Sequence, residues 1–302
     1  MLVVVALGGN ALVRRGESMS AGSQRANVRQ AALALAEIVG AGHRIVVTHG
    51  NGPQVGMLAL QAAAGPADGA YPLDVLGAES EGMIGYLIEQ ELANALPKGS
   101  LVAAILTQVR VDPNDAGFGN PTKPIGPIYD QGAARKLEKE RGWRMAADGE
   151  HWRRVVASPK PIEILESRVI ALLIDRGVNV ICAGGGGIPV IQTKAGAYLG
   201  IEAVIDKDAA SALLARQLKA DMLVMLTDVD GVYRDFGTPN SQAIRQASVA
   251  ELGSTRFAAG SMAPKIQAAV DFASATGRPA GIGRLQDAAA IVRGEAGTRI
   301  TP

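Results

Sequence analysis

The chain has 302 residues, 48% of them hydrophobic, enough to bury one large core or two moderate ones. Its 30 Lys and Arg balance 29 Asp and Glu in an interspersed pattern, which excludes the basic footprint of a nucleic-acid or anionic-membrane binder and leaves small molecules as the expected partners. A single cysteine, Cys182, excludes internal disulfides, and three scattered histidines, His43, His49 and His151, are too few and too far apart for a zinc cage.

In chain order, the apolar runs 2–7, 44–48, 101–107, 178–183 and 222–227 have the length and character of buried parallel strands. Cys182 falls inside one of them and reads as core packing. Helical patterns alternate with these runs at 24–39, 73–96, 161–176, 206–218 and 264–276. The alternation predicts an α/β fold with helices on both faces of the sheet. The opening run is too short for a signal-peptide core and lacks a basic leader, and no later run approaches a membrane span, so a cytoplasmic protein is expected. Residues 110–159 break the rhythm with the Pro/Gly-rich stretch Asn120-Pro121-Thr122-Lys123-Pro124-Ile125-Gly126-Pro127, a polar helix over 130–141 and alternating residues over 143–156. Fifty residues without a buried strand predict an excursion from the sheet, of the kind that covers a site.

Three glycine turns directly follow predicted strands: Gly8-Gly9-Asn10, His49-Gly50-Asn51-Gly52-Pro53 and Gly184-Gly185-Gly186-Gly187. In an open α/β sheet, ligands bind at the carboxyl ends of the strands, and glycine lets backbone N–H groups approach an anion. One such turn is as readily a plain turn; three together point to phosphate or another small oxyanion. His49 either orients its own loop or touches ligand. A P-loop is excluded because Gly-Lys occurs nowhere, and the dinucleotide fingerprint fails because Gly184-x-Gly186 leads into Pro189.

Further along, Asp206-Lys207-Asp208 opens a helix. Asp206 suits its cap and Asp208 its dipole; in the functional reading Lys207 offsets charge on a transferring phosphoryl group while an aspartate holds the lysines or binds a magnesium-bound water. Thr227-Asp228-Val229-Asp230-Gly231-Val232-Tyr233 is either a shelf for adenine and ribose or a surface turn. Gly260-Ser261-Met262-Ala263-Pro264-Lys265 opens another helix, with Ser261 as cap and Pro264 in the first turn. Lys265 opposes the dipole there, a local cost that favours an anion-binding role.

On these motifs, together with residues 184–190 and 202–208, the chain resembles the carbamate kinases of the amino acid kinase family over nearly its whole length. The resemblance implies an open, mostly parallel sheet sandwiched between helices, forming one domain over 1–302 with a protruding lid-like subdomain at 110–159, and a homodimer. It also implies reversible, Mg-dependent transfer of a phosphoryl group between ATP and carbamate, giving ADP and carbamoyl phosphate, as in arginine metabolism. The alternatives are a kinase of another small carboxylate or phosphate, or an inactive nucleotide-sensing module.

Carried over residue by residue, the resemblance gives Gly8, Gly9, Asn10, Gly50, Asn51, Gly52, Gly185 and Gly186 to the phosphoryl and carbamate oxygens, and Lys207 and Lys265 to the transferring group. Asp206 and Asp208 organise those lysines. Relatives that phosphorylate carboxylates carry a lysine two residues before the Gly-Gly pair, where this chain has Ala6; Lys123 on its proline-braced loop supplies that charge instead. Thr227, Asp228, Tyr233, Met262 and Lys265 line the nucleotide pocket, and magnesium arrives on the nucleotide phosphates rather than in a protein metal site. The chain departs from the family pattern at Thr255-Arg256-Phe257, where a glycine and a histidine often precede the phenylalanine, and over 280–285.

Overall fold

A computed structural model describes residues 1–9, 12–13, 17, 20–65, 71–254, 257 and 262–302. Its centre is an eight-stranded sheet in the spatial order Gln246–Ser248, Thr298–Thr301, Ala280–Arg284, Met222–Thr227, Leu2–Leu7, Arg44–His49, Val178–Ile181, Leu101–Ala104. Neighbouring strands run parallel except Ala280–Arg284 against Thr298–Thr301. This is the open, mostly parallel α/β architecture expected.

The pleat explains why the central strands are apolar throughout. Side chains alternate between faces, so Val3, Val5 and Leu7 pack with Val28, Leu35 and Ile38 of helix Ala21–Gly40 and with Ile84 and Ile88 of helix Leu73–Ala95. Val4 and Ala6 face the other way, onto Ala210 and Leu214 of helix Lys207–Gln217 and Phe272 of helix Met262–Thr276. The sheet is therefore buried on both sides.

Several boundaries differ from the sequence reading. The predicted helix over 161–176 divides into a strand, Pro161–Ile164, and a shorter helix, Ser167–Asp175. The strand pairs antiparallel with Gln108–Val111, and pairing outweighs the helical periodicity in the apolar spacing. The run over 101–107 stops being strand at Ala104, and that over 178–183 stops at Ile181. Gln108–Val111 begins a second, four-stranded sheet with Pro161–Ile164, Ile188–Gln192 and Tyr198–Gly200.

Helix Gly52–Ala64 was not anticipated; Pro53 in its first turn is the start signal that the preceding glycine turn obscured. Strand Ala280–Arg284 was also missed, because Gly281 and Gly283 weaken its pattern. Both glycines are required by packing: an added Cβ would lie 2.6 Å from Ile291 Cγ2 at Gly281 and 2.7 Å from Ile291 Cδ1 at Gly283.

The excursion contains strands after all. Lys123–Tyr129, His151–Val156 and Met145–Asp148 form a three-stranded antiparallel sheet. Helix Gln131–Arg141 beside it is capped by the Asp130 side chain accepting the Ala133 N–H, and it ends at Gly142 in the left-handed region (φ +65°). The small sheet rests on helix Gly52–Ala64 with glycine on both sides: a Cβ on Gly56 would fall 1.9 Å from Gly126 Cα, and Gly126 itself has φ +73°.

Candidate functional site

The parallel register brings the glycine turns to one edge of the sheet. Gly8 donates its N–H to Leu226 O at 3.0 Å, and a Cβ there would lie 2.8 Å from that oxygen, so only glycine lets the first turn leave the strand beside Thr227. A Cβ on Gly50 would meet Gly9 Cα at 3.7 Å and Lys207 Cδ at 3.8 Å. The Gly184–Gly186 turn enters through Ala183 in the left-handed region (φ +50°) and continues through Gly185, Gly186 and Gly187 at φ +67°, +96° and +86°. Three successive left-handed positions favour glycine, and the close surroundings of this buried turn leave no room for a side chain on it. A Cβ on Gly185 would strike Asn51 Nδ2 at 2.1 Å, and one on Gly186 the Ile205 O at 2.6 Å. Gly9, Gly50, Asn51, Gly185 and Gly186 thus surround the start of helix Lys207–Gln217. Asn10, Gly260 and Ser261 lie outside the described residues.

Three lysines from three separate segments end on two carboxylates. Lys123 Nζ donates to Asp206 Oδ2 at 2.6 Å, Lys207 Nζ to Asp208 Oδ1 at 2.5 Å and Lys265 Nζ to Asp208 Oδ2 at 3.0 Å. Asp206 is also the helix cap: its Oδ1 accepts the N–H groups of Asp208 at 2.9 Å and Ala209 at 3.1 Å. Capping and lysine pairing, rivals in the sequence, are served by different oxygens of one side chain. Lys207 is anchored along its backbone, where its carbonyl accepts the Ser211 hydroxyl at 2.7 Å and Ser211 Oγ meets Thr48 Oγ1 at 2.6 Å. The cost of Lys265 at a helix start is offset by Asp208. Lys123 opens the strand Lys123–Tyr129 rather than riding a loop, with Pro124 O facing Gly52.

The electrostatics follow from this packing. Burial opposes ionisation of Asp208, yet Lys207 and Lys265 outweigh it and hold the carboxyl at about 2. Burial acts the same way on Asp206, and Lys123 beside it again tips the balance downward. Lys265 is lowered, first by burial and then by Lys207, with Asp208 pulling the other way. His49 is fully buried, and that desolvation lowers it to about 4, so the imidazole is neutral. Three ammonium groups against two carboxylates leave the cluster one positive charge in excess, suited to an anionic ligand.

The nucleotide-side residues are less tightly gathered. Thr227 ends its strand and donates its hydroxyl to Asp228 Oδ1 at 3.1 Å. Met262, half-buried, opens the helix that carries Lys265. Tyr233 sits on the separate hairpin Val232–Arg234 and Gln242–Ile244, where its hydroxyl bonds Asp230 and its ring meets Phe236 edge-on at 5.7 Å. Arg245 also reaches Asp230, at 3.2 Å. Asp230 lies in the 227–233 motif without a role of its own in the sequence reading, and Phe236 and Arg245 lie in the loop 235–246, the other stretch of sequence open to adenine contacts.

The chain matches the profile of the Amino acid kinase family over residues 1–283. It is 56% identical to a carbamate kinase of Rhizobium meliloti (strain 1021) over 303 aligned residues, spanning 100% of this chain and 93% of the relative. Carbamate kinase from Giardia lamblia bound to citric acid superposes with TM-score 0.93 at 41% identity, covering 99% of this chain and 98% of that one. The same enzyme bound to AMP-PNP gives TM-score 0.90, again at 41% identity with 99% and 98% coverage. Sequence and fold agree over the full length, and the chain belongs to the amino acid kinase family.

Proposed function

We propose that this protein is a carbamate kinase, transferring a phosphoryl group reversibly between ATP and carbamate to give ADP and carbamoyl phosphate. The observation that carries the reading is the convergence of Lys123, Lys207 and Lys265 on Asp206 and Asp208 among three glycine turns. High identity to carbamate kinases over the whole chain supports it.

Phosphoryl transfer asks a protein to hold donor and acceptor in line and to offset charge on the transferring oxygens. Lys207 and Lys265 take that task. Their pairing with Asp208 keeps both heads in place before substrate arrives, so little reorganisation accompanies the reaction. Gly9, Asn10, Gly50, Asn51 and Gly52 receive the carbamate and phosphoryl oxygens through backbone and amide N–H groups, while Gly8, its N–H given to Leu226 O, shapes the turn that presents them. Ala6, fully buried in the first strand, offers no charge there. Lys123 comes in from the excursion to supply it. Carbamate is already an anion and needs no strong general base, which suits a site whose histidine is neutral and turned to its own loop.

The residues present fit a nucleotide. The Gly185–Gly186 turn brings bare backbone against Asn51 and Ile205, and Thr227 at the end of its strand, Asp228 beside it, Tyr233 on the hairpin and Met262 at the helix start are the residues assigned to adenine and ribose. Magnesium would enter on the nucleotide phosphates. When bound there it offsets phosphate charge.

The excursion over 110–159 acts as a lid-like subdomain that closes Lys123 onto the site. The protein works as a homodimer joined through the open edge at Leu101–Ala104, supported by Tyr86, Leu101 and Leu106, each about half exposed there. Sedimentation of the purified protein checks this: a monomer at micromolar concentration would end the dimer reading. No described helix is long and apolar enough to cross a membrane.

The deciding experiment supplies ADP, carbamoyl phosphate and Mg²⁺ and measures ATP. Absence of ATP, with ATP-dependent phosphorylation of another acid, would overturn the assignment.

A further inference from the structure

Behind the glycine turns lies a layer of polar residues that the reading above does not use. Helix Leu73–Ala95 places two successive buried residues, Ser80 and Glu81, against two different turns. Asn51 Nδ2 donates to Ser80 Oγ at 2.8 Å, and Ser80 Oγ donates onward to Gly77 O at 2.8 Å. Glu81 uses both of its oxygens: Oε1 accepts the Gly184 N–H at 2.8 Å and Oε2 the Thr107 N–H at 3.2 Å. Thr107 Oγ1 in turn accepts the Ala183 N–H at 2.9 Å and donates to Ile105 O at 2.9 Å. The last residue before the Gly184–Gly186 turn and its first glycine are thus both held from this one position.

Gly184 is wedged there. A Cβ on it would meet His49 Cε1 at 2.3 Å and Glu81 Cγ at 2.9 Å. His49 Nδ1 lies 3.1 Å from Gly50 O; a carbonyl only accepts, so Nδ1 carries the proton and Nε2 is left as a buried acceptor with no partner among the described residues. His49 braces the Gly50 turn as Glu81 braces the Gly184 turn, and both side chains lie against Gly184.

A carboxyl group at 3% exposure is a costly residue to place in this position. Burial pushes it up to about 8, against the two N–H bonds that favour the charge, and Glu166 at the start of helix Ser167–Asp175 pushes it further up. The other titratable groups around it are His49, Cys182 and, on its own helix, Tyr86 and Glu89, which line a cavity of about 190 Å³ with Glu81. None of these supplies a permanent positive charge. An apolar side chain would fill the space at less cost and leave the Gly184 and Thr107 N–H groups unmet, so the retained function is the pair of hydrogen bonds.

We propose that Glu81 is a positioning residue for phosphoryl transfer, its two oxygens fixing the Gly184–Gly186 turn, whose Gly186 N–H is taken by Ala183 O at 3.1 Å, so that the backbone N–H of Gly185 stays aimed at phosphoryl oxygens. The proposal rests on the reading of that turn as a phosphate cradle. Glu81→Gln keeps the size and one acceptor oxygen but turns an amide NH₂ toward a backbone N–H. The measurement is ATP formation from ADP, carbamoyl phosphate and Mg²⁺ by wild type and variant, with KM and kcat resolved for each substrate and melting followed in parallel.

Misplacing a transition-state contact should lower kcat by roughly 10–100-fold while KM for ADP stays within about 2-fold. A lowered melting temperature with wild-type kcat overturns the proposal, as does a raised KM with unchanged kcat; either leaves the carbamate kinase reading intact. Wild-type protein that forms no ATP removes that reading and this one with it. Should Glu81→Gln not fold, Glu81→Asp, which keeps the carboxyl group and shortens the reach, is expected to show the same fall in kcat, and a wild-type kcat there also overturns the proposal.

Discussion

Lys265 reaches Asp208 Oδ2 at 3.0 Å while Lys207 holds the other oxygen of the same carboxylate, so one buried aspartate sets the spacing of two ammonium groups that arrive on different helices. Removing either ammonium group takes away charge offset that matters most in the transition state. Lys207→Ala and Lys265→Ala should each lower kcat by roughly 10²–10³-fold with the fold retained. Circular dichroism and steady-state ATP formation check this together; near-normal turnover in both variants would sink the mechanism.

Asp208→Asn should act on stability as well as rate. It leaves two largely buried lysines without their shared partner, a loss of about 3 kcal/mol at neutral pH. The pH dependence has a definite sign. Asp208 is held at about 2, below the ordinary carboxylate value of 3.8, so its contribution is full above the unfolded value and disappears as pH falls through the folded one. Denaturation midpoints of wild type and variant should therefore differ by a constant amount from pH 5 to 7 and converge between about pH 4 and 2. A gap that persists at pH 2 contradicts the assignment.

Much of this site was legible because its chemistry is local in sequence. Glycine turns after apolar runs, and lysines at helix starts, are short patterns whose physical cost is visible without a fold. Asp206 illustrates the limit: capping and lysine binding looked like alternatives, and only three dimensions assign them to separate oxygens. Ser80 and Glu81 lay in a helix whose apolar spacing passes through Leu76, Ile84 and Ile88, and a polar pair on that buried face was the available hint. Their partners are 29 and 103 residues away, beyond any local pattern. Strand Ala280–Arg284 escaped for the opposite reason, since its glycines answer to Ile291 on a neighbouring helix.

Lys123→Ala should separate acceptor from nucleotide. Lys123 pairs with Asp206 from the excursion, so KM for carbamoyl phosphate should rise about 10-fold or more, the scale of losing one charge-assisted hydrogen bond, with KM for ADP little changed. Equal kinetic profiles would remove Lys123 from the site.

The seat of the excursion makes the last prediction. Gly56 and Gly126 meet backbone to backbone, and a Cβ at Gly56 would overlap Gly126 Cα at 1.9 Å with no flexible side chain to give way. Gly56→Ala suits the helix it stands in, by roughly 0.5–1 kcal/mol in intrinsic preference, so its cost falls on the contact rather than on the helix. The small sheet must lift, carrying Lys123 away from Asp206. The expected result is a folded protein whose KM for carbamoyl phosphate rises as in Lys123→Ala, and whose chain between 110 and 159 is cut faster by protease. Gly77→Ala on helix Leu73–Ala95, where an added Cβ meets nothing within 4 Å, serves as the comparison and should leave both measurements unchanged. Wild-type kinetics and cleavage in Gly56→Ala would show that the seat does not position Lys123.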